Sequence, residues 1–192
     1  MTRILSLRTL LIAGAAVLVA GGAVIAMEPQ LSKIHKRIEA DYADVSHIEA
    51  ETFAALNDSD VVIFDVREPA EFAVSHIEGA IQVDPGIKPE AFATLYGDKL
   101  SGKTAVFYCS VGRRSSALAE RVADVLPETG AAASYNLVGG LFQWRNDSRP
   151  LTTMGGAPTD AIHPYNNHWG RLIEDKTAIT YSRSTFPRTL EQ

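Results

Sequence analysis

The run Ala105-Val-Phe-Tyr-Cys109-Ser-Val-Gly112-Arg-Arg-Ser-Ser-Ala-Leu-Ala119 restricts the fold more than any other stretch of the chain. β-branched and aromatic residues lead up to the only cysteine in the protein, as in a buried strand. Gly112 then permits a backbone turn that a residue with a Cβ resists. From Arg113 the pattern becomes helical, with Ala117, Leu118, Arg121, Val122 and Val125 on one face. A strand, a tight loop and a helix start therefore meet at Cys109.

That geometry carries chemical consequences. A loop curling into a helix start points several backbone N–H groups at one spot. The positive end of the helix dipole points there as well. A thiolate held in such a nest is stabilised, and the thiolate is the nucleophilic form of cysteine. Arg113 and Arg114 add positive charge beside it. The plainer alternative is a structural cysteine buried at a strand end, since free cysteine is among the most buried residue types. That alternative gives no reason for a glycine and two arginines directly after it.

Three stretches together resemble the rhodanese family of sulfurtransferases. The first is the loop Cys109-Ser110-Val111-Gly112-Arg113-Arg114-Ser115, similar to that family's active-site loop. The second is Asp65-Val-Arg67-Glu-Pro-Ala-Glu71-Phe72 followed by His76-Ile-Glu-Gly79-Ala-Ile81. The third is Gly139-Gly140-Leu-Phe-Gln-Trp144, followed by Pro150-Leu151. The resemblance covers about residues 45–152 and neither terminus. One departure is Ser75, where a glycine commonly precedes the His-Ile pair. The resemblance implies Cys109 as the catalytic nucleophile, with Ser110, Val111, Gly112, Arg113, Arg114 and Ser115 as the substrate-binding loop. It also implies that Asp65 and Arg67 support this loop rather than take part in chemistry, and that His76 is structural.

Composition narrows the partners. A net charge of −5 with no basic stripe argues against a nucleic-acid binder. One cysteine excludes an intrachain disulfide or a CxxC pair. Arg3 and Arg8 precede an uncharged run from Thr9 to Met27, which Glu28-Pro29 ends. This is the layout of a secretory signal, and the run is nearly the ~20 residues that span a bilayer. Residues 1–27 are therefore expected to be a signal peptide or an N-terminal membrane anchor, with residues 9–27 as the apolar segment. Retention is favoured, because no Ala-x-Ala site stands out. Either way the remainder is expected outside the inner membrane, in the periplasm.

Residues 28–44 mix Leu31, Ile34 and Ile38 with charges and read as a linker or short amphipathic helix, with His35 solvated. Strands are expected at 45–48, 61–66, 80–83, 104–108 and 131–137, and helices at 51–56, 69–74, 89–96, 114–126 and 141–145. Their alternation predicts an α/β fold: a three-layer domain over residues 45–152, with a central parallel sheet of about five strands and helices on both faces. In the extension 153–192, Tyr165 and Trp169 are expected to anchor the tail against the domain near the cleft. His163 and His168 have the wrong spacing for one helix face and no third ligand nearby, so no metal or cofactor is expected.

Two cysteine chemistries compete. In sulfur transfer, Cys109 attacks the outer sulfur of a small anionic donor such as thiosulfate. It becomes a persulfide and passes the sulfur to a thiol or cyanide. Arg113 or Arg114 is expected to hold the donor. Phosphate-ester hydrolysis and arsenate reduction need a loop with five residues between cysteine and arginine. Here Arg114 is the fifth residue after Cys109 and Ser115 the sixth, so the loop is one residue short for a phosphoryl group. A non-enzymatic binding or sulfur-carrying module is the third reading, set back by the intact cysteine loop.

Overall fold

A computed structural model of the chain describes residues 29–182. The expected signal or anchor at residues 1–27 lies outside the described residues. Among those described, no helix is long and apolar enough to cross a membrane.

The elements run in order α1 (Gln30–Asp41), β1 (His47–Ile48), α2 (Ala50–Ala54), β2 (Val61–Asp65), α3 (Pro69–Val74), β3 (Ile81–Gln82) and α4 (Pro89–Leu100). There follow β4 (Thr104–Tyr108), α5 (Arg113–Val122), β5 (Ala133–Leu137), α6 (Gly140–Asn146), β6 (Leu151–Thr152) and β7 (Pro158–Thr159). The first five strands form one parallel sheet in the order β1-β5-β4-β2-β3. The fold class is the one expected: an α/β domain with a five-stranded parallel sheet flanked by helices.

The central strand explains why the cysteine lies where it does. Ala105 to Tyr108 are fully buried, and their side chains alternate between two cores. Val106 and Tyr108 face the side covered by α1, α2 and α6, through Leu31, Phe53 and Leu141. Ala105, Phe107 and Cys109 face the side covered by α4 and α5, through Phe92, Leu100, Leu118 and Val122. A strand covered on both faces needs a continuous apolar run. Each large side chain so buried contributes about 1.5–3 kcal/mol by leaving water.

Some boundaries differ from the sequence expectation. α4 continues past Gly97 to Leu100, because that leucine is completely buried. α5 ends at Val122, and turn bonds back to the Glu120 and Val122 carbonyls carry the chain on to Leu126. Of the two expectations for residues 28–44, linker or short amphipathic helix, the structure shows the helix, α1, with Leu31, His35 and Ile38 buried. His35 is therefore not solvated: its ring packs edge-on against His47 and its Nε2 lies 3.3 Å from Glu39.

The extension packs back onto the same domain. β6 and β7 pair as a short antiparallel hairpin, and Thr152 bridges to His76. Ile162 and Ile173 are fully buried and join the core on the α1, α2 and α6 side.

Candidate active site

The loop after β4 leaves the carboxyl edge of the sheet from its middle strand, where open α/β sheets present their ligand-binding groups. Cys109 is only 1% exposed. Its Sγ accepts the amide N–H of Gly112 at 3.2 Å. Gly112 has φ +98° and stands immediately before α5, so a left-handed residue converts the strand exit into the helix start. The sulfur thus sits at the positive end of a ten-residue helix.

The loop is held in shape from behind. The Leu141 amide donates to the carbonyl of Cys109 at 2.8 Å, and the Phe142 amide to that of Ser110 at 3.0 Å. The chain approaches so closely here that a Cβ on Gly140 would lie 2.4 Å from the Cys109 carbonyl oxygen. This is the physical reason for Gly140; at Gly139, with φ +67°, a Cβ would instead lie 2.4 Å from the Gln143 Cβ. Ser115, expected in the substrate loop, faces the sheet instead: it is buried and donates to Oδ1 of Asn136 at 2.6 Å.

Two carboxylates organise the arginines. Arg67 is fully buried and donates to both oxygens of Asp65, through Nε at 2.9 and 3.1 Å and Nη2 at 2.6 Å. Nη2 also donates to the Ser75 carbonyl, tying β2 to the end of α3. Burial alone would favour neutral Arg67, but Asp65 holds it charged and moves its pKa upward. This pair is an internal brace and not a surface ion pair.

Glu71 is the second carboxylate. It accepts from Arg114 Nη1 at 2.7 Å and Nη2 at 3.0 Å, and from the Ser110 hydroxyl at 3.0 Å. The same residue closes a capping box on α3. Its side chain is 2% exposed and that of Arg114 26%. Burial alone would raise the Glu71 carboxyl, but the bonds and charge of Arg114, with Arg67 behind, hold it below the usual carboxylate range. Burial alone would disfavour the charged Arg114 guanidinium, but the bonds and charge of Glu71, with the Cys109 sulfur nearby, keep it charged and move its pKa upward. Arg113 points outward to Asp41 at 3.1 Å, and both partners are at least half exposed.

Cys109, Ser110, Val111, Arg113 and Arg114 line a pocket of ≈ 150 Å³ above the sulfur, and Tyr165 and Trp169 of the extension complete it. The Arg114 guanidinium stands 5.0 Å from the centre of the Tyr165 ring. His76 stacks on Phe72, and its Nδ1 lies 3.0 Å from the Phe72 carbonyl oxygen, a structural position. Trp144 is a core residue whose Nε1 donates to the Pro150 carbonyl.

Sequence reasoning missed Glu71 as part of the site. Its only local signal is a third-position glutamate in a proline-started helix, which reads equally well as a cap. Asn136 was missed too, because nothing in a strand sequence shows which polar residue faces a loop.

The family model for the rhodanese-like domain matches residues 37–147. An uncharacterised protein of Synechocystis is 32% identical over 132 residues, 66% of this chain and 66% of that one. The thiosulfate:glutathione sulfurtransferase of Saccharomyces cerevisiae is 34% identical over 101 residues, 45% of this chain and 72% of the yeast protein. Among solved structures, a thiosulfate sulfurtransferase from Pseudomonas aeruginosa aligns with a TM-score of 0.49 at 21% identity, covering 74% of this chain and 26% of that one. The family match takes in both carboxylate braces, the cysteine loop and the Gly139-Gly140 support, and stops before Tyr165 and Trp169. The chain belongs to the rhodanese-like domain family.

Proposed function

We propose that the protein is a sulfurtransferase working through a Cys109 persulfide. The carrying observation is the Cys109 sulfur, buried at the start of α5 and bonded by the Gly112 amide, with the short loop closed by Arg114. The Cys109 thiolate attacks the outer sulfur of a donor such as thiosulfate. A new S–S bond forms to Cys109, the donor's S–S bond breaks, and its electron pair leaves with sulfite. The charged persulfide then occupies the position that the Gly112 amide and the helix end already serve. A thiol or cyanide attacks the outer sulfur and the Cys109 thiolate is regenerated. The membership of the family and the yeast relative's name support this class of reaction.

Phosphoryl transfer is disfavoured by the short loop and by Glu71, which occupies the Arg114 fork that a phosphate would need. The test is intact-protein mass spectrometry after complete reaction with excess thiosulfate. A gain of about 32 Da, one sulfur atom, is expected, removable by cyanide and absent in Cys109→Ser. No gain, with turnover of an aryl phosphate, would instead establish the hydrolase reading.

Location outside the inner membrane is part of the same proposal. The basic residues Arg3 and Arg8 before the uncharged run Thr9–Met27 support it. Fractionation of cells and the mass of the mature chain test it: a membrane-bound or periplasmic product is expected, and a full-length product in the cytosol overturns it.

A further inference from the structure

We propose that Tyr165 and Trp169 form an aromatic subsite for the organic group of a singly charged sulfur donor, an alkyl or aryl thiosulfonate, in preference to inorganic thiosulfate. The inference rests on the sulfur-transfer reading and adds the donor class.

Two observations carry it. The first is the wall itself. Tyr165 and Trp169 lie outside the span of the family match, yet they border the same small pocket as Cys109. They are held in place from below. Tyr165 has φ +64°, an unusual value for a side-chain-bearing residue, and its amide donates to His163 Nδ1 at 3.0 Å. Asn166 Oδ1 accepts from the amides of His168 and Trp169. Asn146 donates to the Leu172 carbonyl and accepts from the Glu174 amide, and Lys176 binds the carbonyls of Gly170, Arg171 and Ile173. Tyr165 nevertheless stays 49% exposed, a large ring left facing the pocket mouth. A pre-organised, half-open aromatic surface suits an apolar group that is ordered on binding.

The second observation is charge. The arginines expected to hold an anionic donor are already paired, Arg114 with Glu71 and Arg113 with Asp41. Burial and the charges of Arg67 and Arg114 lower the His163 pKa, so that ring adds no positive charge near neutral pH. A dianion would shed its hydration against two aromatic rings with little uncompensated positive charge to replace it. A thiosulfonate carries one negative charge, on the end that meets the loop, and an apolar group that meets the rings. The step balances: the thiolate bonds the terminal sulfur, the bond from that sulfur to the sulfonyl sulfur breaks, and a sulfinate leaves with the electron pair.

The test measures persulfide formation on the intact protein in a single turnover, followed as thiocyanate released by cyanide. The donors are benzenethiosulfonate, methanethiosulfonate and thiosulfate, each rate divided by the same donor's rate with free cysteine. This division removes differences in leaving group. The wild type is expected to favour benzenethiosulfonate over thiosulfate by about tenfold or more. Tyr165→Ala and Trp169→Ala are each expected to slow benzenethiosulfonate by about tenfold more than they slow thiosulfate. Tyr165→Phe is expected to keep the preference, since the ring and not the hydroxyl does the sorting. A wild type without preference, or alanine variants that slow every donor alike, would overturn the subsite and leave sulfur transfer standing. No cyanide-labile sulfur from any donor would overturn both.

Discussion

Glu71 joins three structures through one carboxylate: the start of α3, the Ser110 hydroxyl and the Arg114 fork. Its replacement by glutamine keeps the shape and removes the charge. The partly buried Arg114 then loses its ionic partner, and a charge-assisted bond of this kind is worth about 1.5–3 kcal/mol. Glu71→Gln is expected to lower stability by about 2–3 kcal/mol in urea unfolding. It should also slow persulfide formation by roughly 10–100-fold, because the loop is no longer pinned. The pH dependence has a defined sign. The Glu71 carboxyl is held below its ordinary value of 4.5, so its stabilisation is present above that value and is lost as pH falls beneath it. The urea midpoint of the wild type should therefore fall more steeply than that of Glu71→Gln between about pH 5 and pH 3. Parallel curves would mean that Glu71 contributes no charge to the fold.

Among the elements, β4 and its loop were the most legible in the sequence. A strand covered on both faces must be apolar throughout, and the Cys-to-Arg114 spacing is local. The Arg114–Glu71 pair was not legible, because it joins residues 43 apart on different elements and a buried glutamate looks like any other helix glutamate. α1 was read as helix or linker because Lys33, Lys36, Arg37 and Glu39 dilute its apolar stripe, and only docking shows that Ile38 reaches the core. The backing of the loop by α6 is a matter of close approach. Gly140→Ala would place a Cβ against the Cys109 carbonyl at a φ of +58°. Overpacking and left-handed strain each cost about 1–3 kcal/mol, so a loss of about 2–6 kcal/mol is expected by thermal or urea unfolding. Persulfide formation should fall with it; unchanged stability would show that the loop can withdraw from α6. The turn carrying Tyr165 depends on His163 accepting through Nδ1. Burial, aided by Arg67 and Arg114, depresses the His163 pKa below 6.5, so the neutral acceptor is secure above that value and is lost as pH falls through the depressed one. The preference for benzenethiosulfonate should weaken on acidification in the wild type and stay flat in His163→Asn, whose Oδ1 takes the place of Nδ1 and accepts without titrating. An equal slope in both would exclude the imidazole as the cause.

At the scale of the molecule, the extension beyond residue 152 is both structural cover and pocket wall, and the two roles separate by experiment. Ile162 and Ile173 are fully buried, in one core with Leu31, Phe53 and Trp144. The Ile162 amide bonds the Ala178 carbonyl, and the Thr180 amide bonds the Ile162 carbonyl, so the segment closes on itself as it docks. A chain ended at Thr152 re-exposes the surface that these isoleucines cover. At about 1.5–3 kcal/mol for each, the loss is about 3–6 kcal/mol. For a domain of this size 1 kcal/mol moves the midpoint by about 2–4 °C, so Tm should fall by about 10–20 °C in a circular dichroism melt. Tyr165→Ala removes a half-exposed ring and no buried one, so its Tm should stay within about 2 °C of the wild type. The expected pattern is thus a truncation that loses fold stability and donor preference together, beside a point variant that loses the preference alone. A truncated chain that melts with the wild type would show that the domain ends with the span of the family match and that the extension only shapes the pocket.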